Sequence, residues 1–101
     1  MKKKIAIIGS TGAIGKTLLN ILRKEKKNFE IVLLAANKSH KVLIKQAKEF
    51  NVKNLILTNN RNYEILKHNT KNTDIKIFKD FKKINKILKN RIDYVMSSIS
   101  G

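Results

Sequence analysis

The stretch Lys4-Ile5-Ala6-Ile7-Ile8-Gly9-Ser10-Thr11-Gly12-Ala13-Ile14-Gly15 decides the fold of this chain. Its apolar run reads as a short buried strand, residues 3–8, that enters a glycine-rich turn and then opens a helix. Gly9 lets the chain turn sharply off the strand, and Gly12 presents no side chain to hold a ligand away from the backbone. Gly15 lets the helix pack close to the sheet. The first N–H groups of such a helix have no partner inside it and lie at the positive end of its dipole. Strand, turn and helix in that order make an anion site, and the anion expected in this context is a dinucleotide pyrophosphate. The spacing alone is a weak signal, and an ordinary glycine-rich strand–helix connection is the competing reading. The phosphate loop of ATPases is a second competitor, because Gly15-Lys16-Thr17 looks like its ending. That loop needs a glycine where Ser10 stands, and Gly9 falls one residue too early.

Outward from the turn, strands and helices alternate. A helix over residues 13–26 places Ile14, Leu18, Ile21 and Leu22 on one stripe that is expected to face a sheet. Residues 29–36 form a second strand, apolar almost throughout, as a strand buried on both faces must be. The two strands and the helix between them form a right-handed unit with parallel strands. A second helix spans residues 40–50 with the stripe Leu43, Ala47 and Phe50. A third strand covers 54–58, with Asn59-Asn60 as a turn. A helix over 61–69 turns Tyr63 and Leu66 inward. A fourth strand at 74–78 is followed by a helix over 80–89, with Phe81, Ile84, Ile87 and Leu88 on one face. A fifth strand at 92–96 runs into a small polar tail, 97–101. If that strand lies parallel to the first, its tail leaves at the edge that carries the glycine turn. The fold class is α/β, a doubly wound parallel sheet of the Rossmann-like type.

The end of the second strand bears on the cofactor. Domains that bind NAD usually place Asp or Glu there to accept hydrogen bonds from the ribose hydroxyls. This chain reads Ala35-Ala36-Asn37-Lys38-Ser39. The acid is absent and a cation is present. Lys38 attracts a ribose 2′-phosphate that a carboxylate would repel, and Asn37 and Ser39 can donate hydrogen bonds to it. The pattern favours NADP over NAD. The competing readings are a solvated surface lysine for Lys38 and a helix N-cap for Ser39, which could cap and touch phosphate together. His40 and His68 read as solvated residues. No acid pair among Glu25, Glu30, Glu49, Glu64, Asp74, Asp80 and Asp93 has a catalytic spacing.

The chain has 101 residues and a net charge of +16, from 23 basic and 7 acidic residues. Such a balance raises nucleic-acid binding. The lysines, however, spread along the whole chain, and arginine occurs only at Arg23, Arg61 and Arg91. Base and phosphate readers favour the bidentate guanidinium. Ile, Lys and Asn make up nearly half the residues, which indicates compositional drift and a solvated lysine-rich surface. No specific nucleic-acid partner is expected. There is no cysteine, hence no disulfide, thiolate metal site or thiol nucleophile. The apolar run after Lys2–Lys4 breaks too early for a signal peptide, and no run approaches a membrane span of about 20 residues. The expected location is cytoplasmic, with no membrane partner.

Four segments together resemble one family. They are Gly9-Ser10-Thr11-Gly12-Ala13-Ile14-Gly15 after a lysine-led strand, Leu34-Ala35-Ala36-Asn37-Lys38-Ser39, Gln46-Ala47-Lys48-Glu49-Phe50, and Asp93-Tyr94-Val95-Met96-Ser97-Ser98-Ile99-Ser100-Gly101. In this order and spacing they resemble the N-terminal NADPH-binding domain of 1-deoxy-D-xylulose 5-phosphate reductoisomerase. The resemblance implies an NADPH-dependent enzyme of the non-mevalonate route to isoprenoid precursors. Such an enzyme rearranges 1-deoxy-D-xylulose 5-phosphate on a divalent metal, Mg or Mn. It then reduces the aldehyde to 2-C-methyl-D-erythritol 4-phosphate.

The resemblance also implies cofactor contacts at Thr11, Gly12, Ala13 and Ile14, with Asn37, Lys38 and Ser39 at the 2′-phosphate end; Gly9 and Ser10, in the same glycine turn, are further candidate cofactor-binding residues. Ala13 stands where the family usually has serine, Asn37 where it has glycine and Ser39 where it has asparagine. Asparagine tolerates a left-handed backbone, so the turn at 37 is expected to survive. Residues 1–101 correspond to the cofactor domain alone. Catalytic residues, metal ligands and a C-terminal domain are expected beyond Gly101, in a full-length homodimer, and this chain by itself is expected to be inactive. The alternatives are the cofactor domain of another NADP-dependent dehydrogenase or semialdehyde reductase, and a basic nucleic-acid-binding module.

Overall fold

β1 (Lys3–Ile8) is the strand against which the rest is arranged, with Ile5, Ala6 and Ile7 all buried. Successive side chains of a strand point to opposite faces, so burial of three in a row requires a packed layer on each side. The structure, a computed structural model, describes residues 2–83 and 92–97. In chain order β1 is followed by α1 (Ala13–Arg23), β2 (Phe29–Ala36), α2 (His40–Phe50), β3 (Asn54–Leu57), α3 (Asn60–Asn69), β4 (Lys76–Phe78) and β5 (Tyr94–Ser97). The strands form one sheet in the order β4-β3-β2-β1-β5. Every pairing is parallel. All strands therefore end at the same edge. The chain steps away from β1 in one direction through β2, β3 and β4 and returns to its other side with β5. That reversal opens a crevice at the carboxyl ends of β1 and β5.

One face of the sheet carries Ile5, Ile7, Ile31, Leu34, Leu55 and Leu57, packed with Leu19 and Leu22 of α1, Leu43 and Ala47 of α2 and Leu66 of α3. The opposite face presents Ala6, Leu33, Ala35 and Ile56, against which Phe78, Phe81 and Ile92 pack. β2 contributes Ile31 and Leu34 to the same face although they are three residues apart. A bulge makes this possible: Ile5 pairs with Ile31, but Ala6 pairs with Leu33. The extra residue is Val32, whose carbonyl accepts a hydrogen bond of 3.3 Å from the Asn54 side chain.

The elements fall close to the sequence reading, with shifts at their ends. The first helix stops at Arg23 instead of residue 26, because Lys24 and Glu25 turn back to Ile21 and Leu22 with shorter-range bonds. β3 and β4 are shorter than expected, at Asn54–Leu57 and Lys76–Phe78, and β5 is shifted to Tyr94–Ser97. Asn59, read as part of a turn, caps α3 by accepting a bond from the Asn62 N–H. Of the helix expected over 80–89, residues 80–83 form bends and turns, and 84–89 lie outside the described residues, as does 98–101 of the tail.

The stripe expected on α1 is corrected. Gly15, Leu19 and Leu22 face the sheet, while Ile14 and Ile21 are 63% and 57% exposed. The reason lies at Gly15, where a Cβ would sit 2.4 Å from the Gly9 carbonyl oxygen. Only glycine allows that approach, and it fixes the helix rotation. Positions 15, 19 and 22 then point inward and 14 and 21 point away.

Candidate functional site

The first βα corner is built by hydrogen bonds that direct some amides inward and leave others open. Gly9 has φ 83°, a left-handed conformation that favours glycine. Its N–H and that of Ser10 both donate to the Ala35 carbonyl, at 2.8 and 3.2 Å. The Gly12 N–H closes the turn on the Gly9 carbonyl at 3.2 Å, and Lys16 N–H donates to Gly12 at 2.9 Å. Gly12 is the N-cap of α1, and no side chain caps the helix. The amides of Ala13, Ile14 and Gly15 therefore have no acceptor among the described residues. No acidic residue occupies the first turn to neutralise the helix end. Unpaired amides at the positive end of a helix dipole favour an anion.

The structure separates the expected contact residues into two groups. Thr11, Gly12, Ala13 and Ile14 lie at the surface of the corner. Ser10 does not: its side chain is fully buried, its N–H is engaged by Ala35 and its carbonyl accepts from Gln46. Ser10 and Gly9 thus shape the turn, and Ser10 presents no group at the surface. The Ser10 hydroxyl faces the interior of the turn.

The second group leaves the neighbouring strand at the same edge. Ile8 is in register with Ala35, so the glycine turn and residues 37–39 emerge side by side. Asn37, Lys38 and Ser39 are all exposed. The Asn37 carbonyl accepts from the Asn59 N–H at 2.9 Å, and its side-chain oxygen accepts from the Thr58 hydroxyl at 2.8 Å. That arrangement leaves the Asn37 side-chain N–H group without an acceptor among the described residues. The left-handed backbone anticipated at Asn37 does not occur; Asn51, the C-cap of α2, is the non-glycine residue with positive φ among the described residues. Ser39 takes the N-cap position of α2, but its hydroxyl makes no capping bond and remains open. No carboxylate among the described residues pairs with Lys38. The segment 37–39 is thus a patch of donors with one free cation. His40 follows it, half-buried, with Nδ1 2.9 Å from the Asn62 side-chain nitrogen.

Gln46 was not among the residues singled out for the site. It lies on the buried face of α2 beside Leu43 and Ala47, and its side-chain N–H donates to the Ser10 carbonyl at 2.9 Å. A polar residue on an apolar stripe, three after Leu43, is the signal that could have found it. The carboxylates with shifted pKa lie elsewhere. The Arg23 guanidinium, hydrogen-bonded to Glu49, holds that carboxyl below its usual range. Lys53 does the same for Asp74. The Arg23–Glu49 pair joins the last turns of α1 and α2, at the sheet edge opposite the glycine turn. Arg23 and Lys26 both lie over the Phe50 ring.

A parallel sheet reversing direction beside β1, with a glycine turn that bares amides at the same edge, defines a Rossmann-like α/β domain. The family model of 1-deoxy-D-xylulose 5-phosphate reductoisomerase matches residues 5–101. Over 101 residues the chain is 52% identical to the reductoisomerase of Pelagibacter ubique, covering 98% of this chain and 26% of that protein. It is 31% identical to that of Phocaeicola vulgatus, covering 100% of this chain and 27% of that protein. Among solved structures, the reductoisomerase of Zymomonas mobilis in complex with NADPH superposes with a TM-score of 0.86 at 22% identity, over 100% of this chain and 27% of that one. A reductoisomerase in complex with NADPH, fosmidomycin and magnesium gives 0.85 at 25% identity, over 98% and 25%. The chain belongs to the 1-deoxy-D-xylulose 5-phosphate reductoisomerase family. It spans about a quarter of the length of the curated relatives it matches.

Proposed function

We propose that this chain is the NADPH-binding domain of a 1-deoxy-D-xylulose 5-phosphate reductoisomerase. The observation that carries the proposal is the pair of openings at one sheet edge: unpaired amides over the glycine turn, and unpaired donors with Lys38 at the end of β2. The fit to the cofactor rests on these groups. The amides of Thr11, Ala13 and Ile14 meet the pyrophosphate, with Gly12 leaving them uncovered. Lys38 supplies the charge that neutralises the 2′-phosphate, and the Asn37 side-chain N–H and the Ser39 hydroxyl donate to its oxygens. When bound, the nicotinamide supplies the hydride for the reduction. This chain's residues hold and orient it at the carboxyl edge of the sheet.

The rest of the proposal is carried by family membership. The enzyme converts 1-deoxy-D-xylulose 5-phosphate to 2-C-methyl-D-erythritol 4-phosphate, uses Mg or Mn, and works as a cytoplasmic homodimer. Residues 1–101 form the cofactor domain, and the catalytic residues and metal ligands belong to other parts of the protein. Among the described residues there is no group of three or more His, Cys, Asp or Glu placed to hold a metal ion. None of the described helices is long and apolar enough to cross a membrane.

The test is a comparison of NADPH and NADH binding by the full-length protein, with and without Lys38→Ala. Loss of a charge-assisted contact to phosphate costs about 1.5–3 kcal/mol, or roughly 10- to 150-fold in affinity. The variant is expected to lose that factor for NADPH and to keep its NADH affinity. Equal weakening of both, or no weakening of either, would remove the role assigned to Lys38.

A further inference from the structure

The glycine turn depends on a side chain outside it. Gln46 is 8% exposed and lies on the sheet-facing side of α2, in a setting that suits an apolar residue. Its side-chain N–H donates to the Ser10 carbonyl at 2.9 Å, while its own Oε1 is buried without a hydrogen-bond partner. The Ser10 hydroxyl is likewise buried and unpartnered. A buried polar group that satisfies only half of its bonding capacity is a poor choice for stability alone. What the bond does is fix a peptide plane. In a trans peptide the C=O of one residue and the N–H of the next point in opposite directions. Holding the Ser10 carbonyl inward therefore sends the Thr11 N–H outward. The two preceding amides, of Gly9 and Ser10, point inward to Ala35. Thr11 is thus the residue at which the turn reverses the direction of its donors. The amides of Ala13 and Ile14 follow it on the open side.

We propose that Gln46 is a positioning residue for phosphate binding: its buried side-chain amide holds the Ser10 carbonyl and so aims the Thr11 N–H at the cofactor pyrophosphate. The proposal rests on the NADPH reading of the corner. It adds that α2 serves both ends of the cofactor, because the Asn37–Ser39 donors lead directly into the same helix, with Ser39 at its N-cap.

The test uses the full-length protein, Gln46→Met, which keeps the volume and removes the donor, and Gln46→Glu. Three quantities are read: NADPH and NADH affinity, amide hydrogen exchange in peptides covering residues 9–15 without cofactor, and melting temperature. Gln46→Met is expected to weaken NADPH and NADH by the same factor, about tenfold, because both carry the pyrophosphate. Exchange over residues 9–15 is expected to quicken, with little change in melting temperature. Gln46→Glu binds poorly when its carboxyl is ionised, since it then has no donor. Measured with NADP⁺, its affinity relative to wild type is expected to recover as the pH falls from about 8 to about 6, since burial raises a carboxyl pKa.

Unchanged exchange in the turn of Gln46→Met overturns the proposal, as does wild-type affinity in that variant. If wild type itself binds no NADPH, the cofactor reading fails. The exchange measurement then judges the hold of Gln46 on the turn by itself, quickening supporting it and no change refuting it.

Discussion

Two glycines in one turn perform opposite tasks, and single substitutions tell them apart. Gly15 is a packing residue: a Cβ there would meet the Gly9 oxygen at 2.4 Å and the Ser10 Cα at 2.6 Å, both rigid backbone. Gly15→Ala is expected to destabilise the fold by about 1–3 kcal/mol through overpacking, in spite of alanine's higher helix propensity. Thermal or urea unfolding measures it. At Gly12 a Cβ has only an ordinary contact, 3.6 Å from the same oxygen, and the backbone at φ −78° and ψ 175° already suits an N-cap residue. Gly12→Asp is therefore expected to cap α1 and raise stability by about 0.5–1 kcal/mol, since a carboxylate also suits the helix dipole. The same carboxylate occupies the anion position, so NADPH binding is expected to be lost. A loss of stability in that variant would show that the helix end is not open as described.

At the scale of elements, α1 and α2 are joined at the edge of the sheet opposite the candidate site. Arg23 bonds Glu49 with two nitrogens, and Phe50 lies beneath the cation. The folded pKa of Glu49 is depressed, chiefly by its hydrogen bond to Arg23. A depressed carboxylate contributes stability above its unfolded pKa, and that stability is lost as the pH falls through the lower folded value. Glu49→Gln is therefore expected to lower the melting temperature slightly at neutral pH. Below the depressed folded pKa of Glu49 it is expected to have no effect. Both groups are exposed, so high salt reduces the difference. Elements were largely legible in the sequence, because apolar periodicity and glycine placement are local signals. The rotation of α1 was not, since Ile14 and Ile21 complete an apolar stripe as good as the real one. Only the tertiary contact of Gly15 with Gly9 decides between them. Of the candidate site, the glycine turn and the donor segment Asn37–Ser39 could be read directly. The burial of Ser10 and the reach of Gln46 from another helix could not, because they depend on how α2 packs against the turn.

For the molecule as a whole, +16 charges on 101 residues repel one another. Screening that repulsion is expected to raise the melting temperature as salt increases; if Lys38 and the open amides hold the cofactor phosphates as proposed, NADPH binding is expected to weaken at the same time. A melting temperature that falls with salt would mean that specific ion pairs outweigh the net charge. The sheet order puts the reversal beside β1, so the glycine turn and the end of β2 face one crevice edge. That placement is the basis of the functional reading. The most direct test is a crystal structure of the full-length protein with NADPH. The account predicts the pyrophosphate within hydrogen-bonding distance of the Thr11, Ala13 and Ile14 amides, and the 2′-phosphate against Lys38. A cofactor bound away from the glycine turn, or one with its adenosine phosphate remote from Lys38, would contradict it.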